Sequence, residues 1–326
     1  MNSEFECSNF TRLTKENMIC SAPTPAIHIA IEFSLPWHSV PAQTANFPKP
    51  FLLFNNLLIK KKLEFGINYF SHNLFLIDNF TRVFLFQKNG DEFSDYQKYE
   101  FLFPNQKLEE AMLLLIAFIT GENKHVLQWQ IQDFKNTKEL FVCVHGERDL
   151  CCGKYGFALF QEFQTLINNR NDKNNFRVWQ SSHLGGHRFA PTFFEAPSMR
   201  WYGLFEAKKI ESFLDRDNNS FKVTNCYRGM SGIKNKYAQL VENFLFQKYS
   251  WEWLKSCDKK YNIVSLENEK DIIIEFSYKF FNKNQNFISK FKIVYSGSIK
   301  AKTSCNKDEV KDISQYCVQQ IEDSVC

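Results

Sequence analysis

The sequence predicts a mixed α/β chain, and three observations carry that reading. Short apolar runs bounded by turn residues recur at Ile27–Phe33, Val83–Gln87, Glu139–Val144 and Phe176–Gln180, as in buried strands. Between them lie stretches with apolar residues at helical spacing, at 51–63, at Leu108–Phe118 and from Gly153 onward. The chain has 326 residues, 44% hydrophobic and 23% charged. That is enough for two packed domains of ordinary composition.

In the first stretch, the strand Ile27–Phe33 closes at Pro36-Trp37, and the helix at 51–63 runs into Lys60-Lys61-Lys62. Val83–Gln87 is followed by the turn Lys88-Asn89-Gly90-Asp91, and Gly121 stands where it stops the helix begun at Leu108. These make an α/β domain over 1–132. A second unit starts near Lys138 with the strand 139–144 and the polar turn His145–Asp149. A helix then carries Leu159, Phe160, Phe163, Leu166 and Ile167 on one face. Asn168–Asp172 breaks that helix and Phe176–Gln180 follows as a strand, so the two strands should run parallel with a right-handed crossover. Strands at Thr192–Glu195 and Trp201–Phe205, joined at Pro197-Ser198, and a helix at 207–215 complete the unit. The order βαβ then ββα is that of a thioredoxin-like domain, placed at 133–232. Pro191, just before a strand, stands where such domains often keep a cis-proline. Beyond it the sequence predicts one helix over 233–256, then a hairpin of Asp271–Phe280 and Phe287–Tyr295 around Asn282–Asn286. A polar tail of about 25 residues, expected to be loosely ordered, ends the 233–326 extension.

Charge and targeting signals exclude several classes. The net charge of +4 is mild, and the longest basic run, Lys60–Lys62, reads as a solvated helix end, so no nucleic-acid partner is expected. The N-terminus lacks a basic start followed by an apolar stretch. The longest apolar run, Ala111–Ile119, is far short of the roughly 20 residues of a membrane span. A cytoplasmic protein without a membrane partner is expected. In a reducing compartment, ten cysteines argue against a disulfide framework. Cys7, Cys20, Cys226, Cys257, Cys305, Cys317 and Cys326 are scattered and read as ordinary thiols, whereas Cys143, Cys151 and Cys152 crowd together.

The chemistry concentrates in two loops of the βαβ unit. The first runs from Cys143 to Cys152, a C-x8-C spacing, and the second holds His183-Leu-Gly-Gly-His187, an H-x3-H spacing. Parallel strands joined by a helix send both loops to the same C-terminal edge of the sheet. Gly185-Gly186 disfavours a helix between the histidines, because each glycine there costs about 1 kcal/mol. It favours a tight loop instead. Structural cysteines and histidines remain the plain alternative. If a metal binds, Cys2His2 is also a zinc set, although zinc fingers space their cysteines more closely. Two Cys on one iron and two His on the other is the ligand logic of a Rieske centre. Spacing leaves zinc open.

The segments Cys143-Val-His-Gly-Glu-Arg-Asp-Leu-Cys-Cys-Gly153 and Trp179-Gln-Ser-Ser-His-Leu-Gly-Gly-His-Arg-Phe-Ala-Pro191 resemble the two signatures of the sucraseferredoxin-like family. Ile31–Trp37 and Tyr227-Arg-Gly229 resemble its earlier and later strands, so the resemblance spans most of the chain. It implies a thioredoxin-like ferredoxin with a 2Fe–2S cluster held outside the true Rieske fold. By motif position it implies the ligands Cys143, Cys152 (directly before Gly153), His183 and His187, with Cys151 as a neighbour. The sucrase half of the name has no counterpart here, since no acid/base carboxylate pair is recognisable.

Two imidazole ligands make a cluster less negative and raise its potential, and their second nitrogens couple reduction to protonation. The expectation is a pH-dependent one-electron carrier rather than an enzyme, serving an unidentified redox protein. Arg148 and Arg188 are candidates for tuning or docking, or plain ion-paired loop residues. The rivals are a thiol oxidoreductase using Cys151-Cys152, though C-x-x-C spacing is missing, and a zinc-stabilised interaction module.

Overall fold

The structure is a computed structural model. It describes residues 6–72, 74–172, 175–218, 221–223, 225–267, 271–280, 285–307 and 309–325. In chain order the elements begin with α1 (Cys7–Thr14), β1 (Ile27–Glu32), α2 (Lys49–Lys60), β2 (Phe65–Ser71), β3 (Phe80–Gln87), β4 (Gln97–Pro104), α3 (Leu108–Ile119) and β5 (Gln130–Ile131). The central elements are β6 (Lys138–Cys143), α4 (Phe157–Asn168), β7 (Phe176–Ser181), β8 (Phe193–Ala196), β9 (Arg200–Tyr202), α5 (Ile210–Leu214) and β10 (Tyr227–Met230). Then come α6 (Lys236–Tyr249), α7 (Glu252–Lys255), β11 (Cys257–Glu267), β12 (Asp271–Phe280), β13 (Gln285–Lys302) and β14 (Val310–Val325). The chain divides into two compact units, one of 25–185 with 191–199, the other of 1–24, 186–190 and 200–326.

The first unit is built on a mixed sheet in the order β8-β6-β7-β2-β1-β3-β4-β5. Its symmetry was not visible as a sequence repeat. β1–α2–β2 and β6–α4–β7 are both parallel strand–helix–strand units, and each is followed by a strand antiparallel to its first one: β3 beside β1, β8 beside β6. The order β7-β6-β8 with these directions is the arrangement expected of a thioredoxin-like half, and β2-β1-β3 repeats it. The two halves meet where β2 and β7 pair antiparallel through their last residues, Phe70 with Ser181 and Ser71 with Gln180. The C-terminal ends of both parallel pairs therefore abut.

The helices form as the apolar spacing predicts. α4 buries Leu159, Phe160, Phe163 and Ile167 and leaves Leu166 half-buried. Gly121 follows α3 with φ of +77°, a left-handed conformation that glycine adopts without strain. Lys61, past the end of α2, makes an exposed ion pair with Glu122, as a solvated helix end should.

Under the sheet lies a fully buried charge network. Arg177 and Glu139 face each other across β6 and β7 in register. Arg177 spans Glu139 and Glu100 at 2.6 Å each, Lys98 pairs with Glu139, and Arg82 pairs with Glu100. Trp179 Nε1 donates to Glu139 at 2.7 Å, and Lys98 also reaches the carbonyls of Phe134 and Thr137. Burial penalises the Glu139 charge, but Arg177 and Lys98 outweigh it and hold the carboxyl below its usual range. Such a network ties β3, β4, β6 and β7 together, and each member depends on the others being charged.

The second unit pairs β9 with β10 antiparallel and carries a separate four-stranded antiparallel sheet, β11-β12-β13-β14. Strand β12 buries Ile272, Ile274, Phe276, Tyr278 and Phe280 at period two, and β13 adds Phe291 and Ile293. Glu242 on α6 anchors Arg200 at 2.7 Å and Trp253 Nε1 at 3.1 Å. Three expectations are corrected here. The polar tail is the long strand β14, whose backbone bonds to β13 from Val310 to Val325. Its polar composition reflects an exposed edge position, not a lack of structure. The single helix at 233–256 is two, α6 and α7, separated at Ser250, whose φ is +52°. Pro191 follows no cis bond; among the described residues the cis bonds are Leu35–Pro36 and Ala196–Pro197. The hairpin of β12 and β13 is present, although residues 282–284 of its expected turn lie outside the described residues. Among the described residues no helix is long and apolar enough to cross a membrane.

Two predictions follow from the first unit's interior. Glu139→Gln strands the buried Arg177 and Lys98 and should cost about 3–5 kcal/mol in urea denaturation. His28 and His72 are both held near 4 by burial, against an ordinary 6.5. Unfolding lets them take up protons between those values, so stability falls as pH drops from about 6.5 to 4. For fully buried His28 the loss is on the order of 3 kcal/mol, and the denaturation midpoint of His28→Gln should depend less on pH than that of the native protein.

Candidate metal centre

The first loop is shaped by what its ends can reach. β6 delivers Cys143 to the sheet edge, in register with Ser181 of β7. The chain turns at 145–149, where the N–H groups of Arg148 and Asp149 bond the carbonyl of His145. Asp149 is buried, and its Oδ1 accepts from the N–H of Cys151 at 3.0 Å, capping the turn that opens the following helix. Cys152 begins a π-helical turn, Cys152–Gly156, that leads into α4. Such single π turns are rare and concentrate at functional sites. Gly156 makes the approach possible: a Cβ there would stand 1.8 Å from the carbonyl oxygen of Cys143.

The second loop leaves β7 and is held from both sides. Ser182 N–H bonds the carbonyl of Tyr69, and its hydroxyl accepts from the N–H of Tyr69. The N–H of His183 points at Nδ1 of His145 at 3.2 Å. A backbone N–H can only donate, so Nδ1 accepts and Nε2 carries the proton, donated to the carbonyl of His38 at 3.0 Å. His145 is therefore neutral. Burial lowers its pKa, against the nearby Cys143 sulfur and its backbone bonds. Its ring lies edge-on to Trp37 at 5.7 Å. Through His145, the loop after β1 in the N-terminal half fixes the backbone of His183.

These loops bring together Cys143, Cys152 and His183. One ligand atom from each lies within 4.8 Å of the others, and Cys152 Sγ stands 3.9 Å from His183 Nδ1. Both cysteines are buried and His183 is partly so. The Cys143 thiol is pulled well below its ordinary pKa. Hydrogen bonding with Cys152 contributes most, helped by His183 and the N–H of His145, while burial opposes. Two thiols and an imidazole, one thiol biased to the thiolate, are a donor set for soft or borderline metals. Cys151 is buried but is not a member of this triad.

His187 begins a short 3-10 turn, His187–Phe189, in the segment that packs with the second unit. Gly185 and Gly186 have φ of +79° and +71°, so the stretch between the histidines is a tight loop, as their presence predicts. A Cβ on Gly186 would also meet Arg228 at 2.7 Å. Arg188 is engaged by Glu16 through both carboxylate oxygens, at 2.9–3.0 Å, the plain ion-paired reading. Arg148 lines a cavity of about 450 Å3 with His183, Ser182, Tyr69, Asn55 and Ser39.

The match to the sucrase/ferredoxin-like family runs over residues 18–229, well over half of the chain and all of both loops. The chain belongs to that family. Similar proteins include three yeast proteins named altered inheritance of mitochondria protein 32. That of Meyerozyma guilliermondii is 30% identical over 32% of this chain and 38% of its own length. That of Debaryomyces hansenii is 32% identical over 30% and 36%, and that of Candida glabrata 24% over 55% and 63%. The chain thus spans less than two thirds of the relatives it matches. Among solved structures, a thioredoxin-like [2Fe-2S] ferredoxin from Aquifex aeolicus is 16% identical, with a TM-score of 0.26, over 29% of this chain and 93% of that one. A serine-for-cysteine variant of it has a TM-score of 0.24 at 17% identity, over 28% and 96%.

Sequence reasoning missed His145, Asp149 and Gly156. Only Asp149 carried a usable signal, an acidic residue just before a helix. Replacing Gly156 with Ala should push the helix start away from β6 and separate Cys152 from Cys143. The expected outcome is a folded but less stable protein that no longer binds cobalt(II) through thiolates, read from the loss of sulfur-to-cobalt absorption bands.

Proposed function

We propose that this chain is a one-electron carrier that holds a 2Fe–2S cluster on Cys143, Cys152, His183 and His187. One observation carries the reading: Cys143, Cys152 and His183 converge as a buried triad at one sheet edge, inside the region that matches a family described as sucrase/ferredoxin-like. The triad fits such a group in donor chemistry, with soft thiolates beside an imidazole. His187 enters by its place in the H-x3-H motif. When bound, the cluster supplies reversible one-electron chemistry at a potential above that of all-cysteine ferredoxins.

The chain's own residues have defined tasks in this reading. Cys143 and Cys152 bind as thiolates, and the contacts that lower the Cys143 pKa favour that state. His145 orients His183 through its backbone and, being neutral and hydrogen-bonded at both nitrogens, adds no charge. Imidazole ligation makes the potential fall as pH rises. The partner in this reading is a redox protein, and the compartment is the cytoplasm.

A second reading is a single zinc ion. The 3.9 Å between Cys152 Sγ and His183 Nδ1 is less than the roughly 4.4 Å that Zn–S and Zn–N bonds together span. The experiment separating the two is anaerobic purification followed by visible spectroscopy and metal analysis. The expected result is a reddish-brown protein with iron and acid-labile sulfide in equal amounts. His183→Cys and His187→Cys should each keep a cluster but lower its midpoint potential. A colourless protein with one zinc per chain would establish the second reading instead.

A further inference from the structure

The unit that holds the four-stranded sheet contains a thiol pair that the scattered cysteine positions did not announce. Cys7 is the first residue of α1, and Cys305 lies on the turn between β13 and β14, 298 positions away. Their sulfurs stand 3.4 Å apart, and the N–H of Cys7 donates to Cys305 Sγ at 3.3 Å. A buried cysteine is ordinarily a small hydrophobe. This pair differs in having its two sulfurs directly opposed, with a helix-start amide aimed at one of them. A movement of about 1.4 Å would bring them to the bonding distance of about 2.05 Å.

The two cysteines are unequally accessible. Cys7 is buried, whereas Cys305 is half-buried on a turn. An amide at a helix start favours a sulfur anion, the nucleophile in thiol–disulfide exchange.

We infer that Cys7 and Cys305 form a reversible disulfide that staples α1 to the turn of the four-stranded sheet, with a low-molecular-weight disulfide such as oxidised glutathione as the oxidant. In the first exchange the Cys305 thiolate attacks glutathione disulfide, its S–S bond breaks, and one glutathione thiol leaves. The Cys7 sulfur, as thiolate, then attacks the mixed disulfide, forming the Cys7–Cys305 bond and releasing the second glutathione. The protein loses two electrons and two protons, and glutathione disulfide gains both. Excess reduced glutathione reverses both steps.

The test uses the full chain, equilibrated in glutathione buffers of increasing oxidised fraction, quenched by alkylation and digested with trypsin. Peptides 1–12 and 303–307 each contain one cysteine, so the linkage is read directly as their disulfide-joined mass. The joined species is expected to rise with the oxidised fraction, to vanish with reductant, and to be absent in C7S and C305S. The thermal midpoint should rise by several degrees on oxidation in the native chain and not in either variant. Four outcomes would overturn the inference: both thiols alkylated at every ratio, Cys305 trapped only as its glutathione adduct, either cysteine joined to a different cysteine, or both protected by a stoichiometric metal ion.

Discussion

The parallel pairing of β6 with β7 is the constraint on which the site depends. A strand–helix–strand crossover places the exits of both strands on one edge of the sheet, and the in-register pair Cys143–Ser181 sets them level. One loop then needs only to fold back onto the helix, and the other to leave β7, for Cys143, Cys152 and His183 to meet. The contacts inside those loops, such as the His183 N–H on His145, act from that register. The register is secured from below by Glu139 and Arg177, which face each other across the same two strands.

That ion network explains how a strongly apolar sheet tolerates five charges beneath it. Each charge alone would be costly to bury, and each is matched by opposite charges and hydrogen bonds from neighbouring strands. The network also couples distant parts of the chain, since Arg82 and Lys98 come from the N-terminal half while Glu139 and Arg177 come from the half that carries the cysteines. The halves are joined a second time at the sheet edge, where Tyr69 bonds Ser182 and His38 bonds His145. The N-terminal half contributes bracing contacts rather than members of the triad. It serves as the wall and brace of the site, fixing the loop that presents His183.

The second unit follows a different logic. Its sheet is antiparallel with one apolar face, so strand β12 alternates buried and more open positions, and the outermost strand β14 buries none of its described side chains. Backbone pairing rather than side-chain burial keeps β14 in place. Its turn brings Cys305 to the start of α1, at nearly the full length of the chain from Cys7.

By itself the sequence determined the element types, the βαβ unit, the two loops and the cysteines and histidines within them. Apolar period, glycine placement and residue chemistry are local properties that survive without tertiary contacts. The tight loop at Gly185-Gly186 was legible for the same reason, because only glycine adopts that backbone cheaply. The strand character of 310–325 was not legible, since a polar edge strand is specified by its partner. Nor was the duplication of the βαββ half, which is a likeness of topology without a likeness of residues. The tasks of His145 and Gly156 depend on what stands opposite them, a backbone N–H of another loop and a carbonyl of another strand. Contacts between positions far apart in the chain leave no periodic trace, so only the tertiary structure decided how the triad is held and which two scattered thiols meet.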